Sequence, residues 1–206
     1  MIENTEIIFD QFLNIDTLSG NNDDNLQRKI FTKYQPAHYQ FLEYLYQRYP
    51  FSNNDCLVDF GAGKGRPLIM AAYYGCKHII AYELDEVRAK MINDNIIKFK
   101  DKFNLDFQYE IFCTDASTAI IRKEMNKFFF FNPFHLKIYV KILKNVASSF
   151  VSYKRPIKIY LYGPEDSVVK YIDSLKCFKQ EEANRYCKTV DDKSTVSYEY
   201  VVYSSV

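Results

Sequence analysis

Three glycines within five positions constrain this chain more than any other feature. Gly61, Gly63 and Gly65 stand in the segment VDFGAGKGR, and they are half of the six glycines in 206 residues. Average usage of roughly 7% would supply about fourteen. A chain that avoids glycine and then clusters it needs positive φ, or close approach to the backbone, at that place. A tight turn needs one glycine, not three. Before the cluster, CLVDF (56–60) is a short apolar run bounded by Asn53, Asn54 and Asp55, the pattern of a buried strand. After it, residues 64–74 read as a helix. The cluster therefore sits where a strand hands over to a helix, at the carboxyl edge where open α/β sheets bind ligands.

The rest of the chain repeats that alternation. HIIAYE (78–83), FQYEIF (107–112), KFFFF (127–131) and IKIYLY (157–162) read as further strands. Between them, Asp85 to Phe99 and residues 135–150 have helical period, the latter with Tyr139, Ile142, Leu143 and Val146 on one stripe. Phe41, Leu42, Leu45 and Tyr46 mark an earlier helix that Pro50 stops, and Gly163-Pro164-Glu165-Asp166 opens a later one. Strands spaced by helices predict a doubly wound α/β fold with a mostly parallel sheet. The end differs: runs near 177–188 and 195–203, joined by the polar turn of Asp191, Asp192, Lys193 and Ser194, predict a closing antiparallel hairpin. In the last run Val196, Tyr198, Tyr200 and Val202 share one face by alternation. Residues 1–30, with six acids around the loop-like LSGNNDDN, are set apart as an N-terminal extension free to move, which leaves 31–206 as one domain.

Composition excludes several classes. Lys+Arg and Asp+Glu number 27 and 26, so the net charge of +1 gives no overall basic field for nucleic acid or an acidic membrane. No run of eighteen apolar residues exists to span a membrane, and MIENTEIIFDQF lacks the basic start of a secretory signal. The five cysteines are scattered without a C-x-x-C pair, and His38, His78 and His135 show no ligand spacing. The expectation is a cytoplasmic protein with reduced thiols and no metal.

Two details choose the ligand. Counted from Gly61, the last position of a dinucleotide fingerprint falls on Arg66, too bulky for close helix–strand packing, and no P-loop pattern is present. Asp59, at the end of the first strand, would repel a pyrophosphate and attract an ammonium or sulfonium. Glu83 ends the second strand, where an acid accepts ribose hydroxyls, and Asp115 follows the third, with Ala116 beside it, suited to an exocyclic adenine amine. A cation, a ribose and an adenine together describe S-adenosylmethionine (SAM). VDFGAGKG, AYELD and TDA, in that order, resemble the motifs of the class I, Rossmann-like SAM-dependent methyltransferases, over roughly residues 31–206. The resemblance implies a seven-stranded sheet with one late antiparallel strand and methyl transfer as the activity. It also implies cofactor contacts from Asp59, Gly61 and Gly63 toward the methionyl part, from Glu83 to the ribose, and from Leu84 with Asp115 to the adenine, with Ala62, Gly65 and Ala116 as further cofactor-binding residues. Tyr34, before the first helix of that domain, is placed to line the same site. Lys64 reads equally as a cofactor contact and as a solvated helix start.

For the acceptor, Asn132-Pro133-Phe134 ends the fourth strand and resembles a shortened N/D-P-P-Y/F motif of amino-methyltransferases, lacking the second proline. That implies catalytic roles for Asn132, Pro133 and Phe134 on an amine nitrogen, with Pro133 expected to keep Asn132 extended. Between Glu124 and Glu165 there is no acid, while Lys127, Lys137, Lys141, Lys144, Lys154, Arg155 and Lys158 accumulate. This reads first as a solvated face and second as a patch for RNA or an acidic protein. A protein amine ranks just ahead of a nucleobase, and small protein-lysine methyltransferases are similar in the first two motifs. The alternatives are a SAM-binding module without catalysis and an RNA methyltransferase that uses the basic patch. A nicotinamide oxidoreductase on a similar sheet is opposed by Asp59 and Arg66.

Overall fold

The structure, a computed structural model, describes residues 4–19, 34–191 and 194–206, with side chains for all of these except 4, 188–191 and 194–196. The strands are β1 (Cys56–Phe60), β2 (His78–Glu83), β3 (Gln108–Cys113), β4 (Lys127–Phe131), β5 (Lys158–Tyr162), β6 (Phe178–Asp191) and β7 (Ser194–Ser205). They form one sheet in the order β3-β2-β1-β4-β5-β7-β6. β1 pairs in parallel with β2 on one side and β4 on the other. The chain thus winds outward from β1, then crosses back to start again at β4, and the switch point lies between the carboxyl ends of β1 and β4. β7 pairs antiparallel with both β5 and β6, as the closing hairpin predicts.

The helices are α1 (Asn4–Leu13), α2 (Tyr39–Arg48), α3 (Arg66–Tyr73), α4 (Glu86–Phe103), α5 (Leu136–Ser152) and α6 (Asp166–Ser174). Alternation along the strands builds two cores. Leu57, Phe129 and Tyr160 pack with α2, α3 and α4 on one face, while Val58, Phe128, Phe130 and Ile159 pack with α5 and α6 on the other. The phenylalanine run is therefore buried on both sides, as central parallel strands are. Tyr200 and Val202 fall in the first core and Val201 and Tyr203 in the second, so the period-2 reading of β7 holds there.

Several boundaries differ from the sequence reading. α3 starts at Arg66 rather than 64, because Gly65 precedes it at φ +83°. The hairpin strands are longer than expected. β5 ends against β7 at Tyr162↔Tyr200, yet β6 and β7 stay paired with each other to Asp191↔Ser194. The hairpin so overhangs the carboxyl edge of the sheet. Of the N-terminal thirty residues, 4–19 are described and pack into the domain: Leu13 and Ile15 are buried in the first core. Most of the loop-like stretch 18–25, and residues 192–193 of the polar turn, lie outside the described residues.

Candidate active site

A cavity of about 470 Å³ opens at the switch point. Asp59, Gly61, Ala62, Gly63, Glu83, Leu84, Asp115, Ala116, Tyr34, Asn132, Pro133 and Phe134 all line it; Gly65 alone of the residues chosen from sequence does not. A Cβ on Gly65 would meet Ile92 Cγ2 at 3.0 Å, so this glycine serves the packing of α3 against α4. The sequence reading withheld close packing from position 66 on the bulk of Arg66; here the close approach is made one residue earlier, at Gly65. Gly61 and Gly63 differ: both have positive φ, +79° and +59°. A Cβ on Gly61 would lie 2.5 Å from Pro133 Cβ, and one on Gly63 2.4 Å from Tyr34 Cε2. The loop backbone is thus pressed between the cofactor-side wall and the acceptor-side wall.

Asp59 is 2% exposed and its Oδ2 has no hydrogen-bond partner among the described residues. Burial pushes its carboxyl well above the usual range, and the neighbouring Glu83 adds to the shift. An unpaired buried carboxylate oxygen facing a cavity is costly unless a ligand supplies the partner. Glu83 is better provided. Its Oε2 accepts from the Gly63 amide at 2.7 Å and its Oε1 from the Asp85 amide at 3.0 Å, and these bonds tie the end of β2 to the glycine loop. Burial raises its carboxyl too, against those two hydrogen bonds. Asp115 caps the short 3-10 turn Ala116–Thr118, accepting from Ser117 N at 2.8 Å, which fixes it at the rim. Leu84 keeps its side chain 44% exposed there, an apolar surface available to a flat ring.

Tyr34 roofs this half. Its hydroxyl donates to Thr17 O at 3.1 Å, and Lys64 Nζ and the Arg88 guanidinium stand 5.1 and 5.3 Å from its ring centre. Lys64 is only 3% exposed, and its ammonium donates to Ser19 O. It is therefore a pin for residues 16–19 rather than the solvated helix start that sequence equally allowed. Asn95 of α4 does the same work. It is buried, accepts from Asp16 N at 2.9 Å, and donates to Asp16 O and Lys64 O at 3.0 and 3.1 Å.

The other half is aromatic and uncharged. Phe131 stacks on Tyr162 at 4.6 Å between centroids, and Tyr198 from the hairpin stands edge-on to Phe131 at 5.8 Å. Gln35 donates to the Tyr198 hydroxyl, and His38 Nδ1 lies 3.0 Å from the Tyr162 hydroxyl. Gln35, Phe131 and Tyr198 line the cavity beside Asn132 and Phe134. None of the three was chosen from sequence. Asn132 itself is left-handed at φ +39°, not extended as its place before proline suggested. Asparagine is one of the few residues that adopt this region readily, so its own tolerance overrides the pre-proline preference. No side-chain hydrogen bond joins its amide to the described residues, and it faces the cavity.

The basic run divides on inspection. Lys127 is buried, paired with Asp55 at 3.2 Å at the amino end of β4, away from the cavity. Arg155 donates to the carbonyls of Met125 and Tyr153, and Lys158 pairs with Glu181. These three hold the fold together; Lys137, Lys141 and Lys144 remain on the exposed face of α5. Among the described residues no group of His, Cys, Asp and Glu is arranged to hold a metal, and no helix is long and apolar enough to cross a membrane.

No protein-family model and no curated protein matches the chain in sequence. Solved structures do match in fold. A protein of Pyrococcus horikoshii assigned as an RNA methyltransferase superposes with a TM-score of 0.64 at 15% identity, over 100% of this chain and 98% of that one. Precorrin-6y C5,15-methyltransferase from Geobacter metallireducens gives 0.63 at 15% identity, over 92% and 98%. Magnesium protoporphyrin IX methyltransferase from Synechocystis, solved with bound SAM, gives 0.58 at 10% identity, over 81% and 77%. With this sheet order and its late antiparallel strand, the chain has the Rossmann-like fold of the class I SAM-dependent methyltransferases.

Proposed function

We propose that the chain is a SAM-dependent methyltransferase acting on an amine nitrogen. Asp59 carries the reading: a buried carboxylate with an unpaired oxygen, behind a glycine loop that admits no Cβ, suits a cationic ligand and disfavours a pyrophosphate. When bound, SAM supplies a methyl group activated by a sulfonium. Asp59 balances the positive charge of the methionyl part, Glu83 accepts from the ribose, and Leu84, Asp115 and Ala116 receive the adenine. The acceptor amine must present a free lone pair in line, so the chain contributes alignment and exclusion of water. Asn132 orients the amine by accepting its hydrogen bond, with Pro133 and Phe134 fixing the approach. The aromatic walls of Phe131, Phe134 and Tyr198 favour the neutral amine over its ammonium, whose ordinary pKa is about 10.4 for an alkyl amine.

A protein side-chain amine ranks ahead of a nucleobase as acceptor. Tritiated SAM incubated with protein and cell lysate, followed by separation of protein, RNA and small molecules, decides between them. Label in protein supports the first and label in RNA the second. No transfer to any fraction would leave a binding module in place of the enzyme.

Two consequences follow for solution behaviour. Because burial and Glu83 raise the Asp59 carboxyl, a cation must compete with a proton there. Affinity for SAM should therefore go on rising as pH is raised above the ordinary carboxylate range, measured calorimetrically, and a flat profile would count against the assigned role. Tyr198→Ala should leave SAM affinity within about twofold and slow transfer about tenfold or more through KM for the acceptor, because it removes a wall of the uncharged half. Loss of SAM binding in that variant would contradict the division of the cavity.

A further inference from the structure

The strip 34–38 belongs to both halves of the cavity. Tyr34 roofs the cofactor half; Gln35 holds Tyr198 in the acceptor half; His38 reaches Tyr162 behind it. What fixes the strip is a side chain outside any expected role. Arg66, the first residue of α3, is 1% exposed, and its fork is fully engaged. Nη1 donates to Ala37 O at 2.8 Å and pairs with Glu6; Nε and Nη2 donate to Thr17 Oγ1 at 2.8 and 2.5 Å; Nη2 lies 3.7 Å from Asp10 Oδ1. The guanidinium carbon also lies 4.1 Å over the Tyr39 ring. One planar group so joins the glycine loop to α1, to Thr17 and to the backbone of the strip.

We infer that Arg66, at the wall of the cavity, is a positioning residue for the active site, holding strip 34–38 against the glycine loop, with α1 as its anionic anchor. The inference rests on the cofactor reading above. Glu6 and Asp10, one helical turn apart on α1, supply the carboxylates that make a buried guanidinium tenable, so α1 is a component of the site although it does not line the cavity. A lysine at position 66 could satisfy one of these partners but not the fork.

The test separates positioning from simple folding. Arg66→Met removes the guanidinium that faces the buried carboxylates of Glu6 and Asp10, and the charge imbalance should lower the melting temperature. The triple variant Arg66→Met/Glu6→Gln/Asp10→Asn removes that imbalance and should regain much of the loss. S-adenosylhomocysteine, the demethylated product, is titrated calorimetrically into each protein at a temperature where circular dichroism shows it folded. Affinity is expected to fall about tenfold or more in both variants, with faster amide exchange confined to 34–38 in the triple variant. Arg66→Lys should fold and still lose at least about threefold, which covers failure of the other two to fold. Affinity within twofold of the unaltered chain in any folded variant overturns the inference alone. Absence of binding to the unaltered chain overturns the cofactor reading, and the inference with it.

Discussion

Asp59→Asn is expected to raise the melting temperature of the ligand-free protein and to cost about a hundredfold or more in affinity for SAM. The two effects have one cause. Asp59 is buried at the end of β1 with Oδ2 unpaired, and its carboxyl is held well above the usual range, first by burial and then by the charge of Glu83. A carboxyl that binds its proton more tightly folded than unfolded stabilises the fold at low pH. That contribution disappears as pH rises through the folded value. Above the ordinary carboxylate range, where the unfolded chain is ionised, Asp59 is therefore a burden on the empty protein, and an uncharged amide of the same shape relieves it. Each kcal/mol recovered is worth about 2–4 °C in a chain of this size. The same amide cannot balance a sulfonium or ammonium, so binding is lost. Stability and function would then move in opposite directions, as they do where a site is kept strained for its ligand. Thermal melts and calorimetry on one preparation check both. A variant that melts lower while binding as before would contradict the assignment.

Asn132→Gly is expected to bind SAM as the unaltered chain does and to lose about a hundredfold in kcat. Glycine is the informative replacement, because Asn132 stands at φ +39° and glycine takes that conformation at no steric cost. Alanine would mix a backbone penalty of about 1 kcal/mol or more with the loss of the amide. With glycine, the fall in turnover reports the amide alone. Single-turnover rates with SAM saturating, on the labelled lysate fraction, measure it. Unchanged turnover would remove Asn132 from the acceptor machinery and leave Phe131, Phe134 and Tyr198 as a purely hydrophobic slot.

The strand–helix alternation and the glycine loop were legible because both are local. After Lys127, KFFFF is phenylalanine at every position since β4 is covered on both faces, and Asp59, Glu83 and Asp115 each close a strand or the turn after it. Residues brought in from afar were not legible. Arg66 meets Glu6 across 60 positions and Gln35 meets Tyr198 across 163. A signal existed for each. Glu6 and Asp10, four apart in a helix with no basic residue, mark a face awaiting a cation. Tyr198, two residues before the inward-facing Tyr200, marks a strand that outruns its neighbour β5. Arg66 was judged on bulk alone, whereas its side chain turns toward α1 and leaves the close approach to Gly65. Asn132 was judged on its proline neighbour alone, and its own tolerance of left-handed backbone prevailed.

The most direct test of the central claim is calorimetric titration of the purified chain with SAM, with S-adenosylhomocysteine and with NAD. The account predicts saturable one-to-one binding of the first two, none of NAD, and none of any in Asp59→Ala. No binding of SAM or its product at millimolar concentration, or equal binding of NAD, would contradict it.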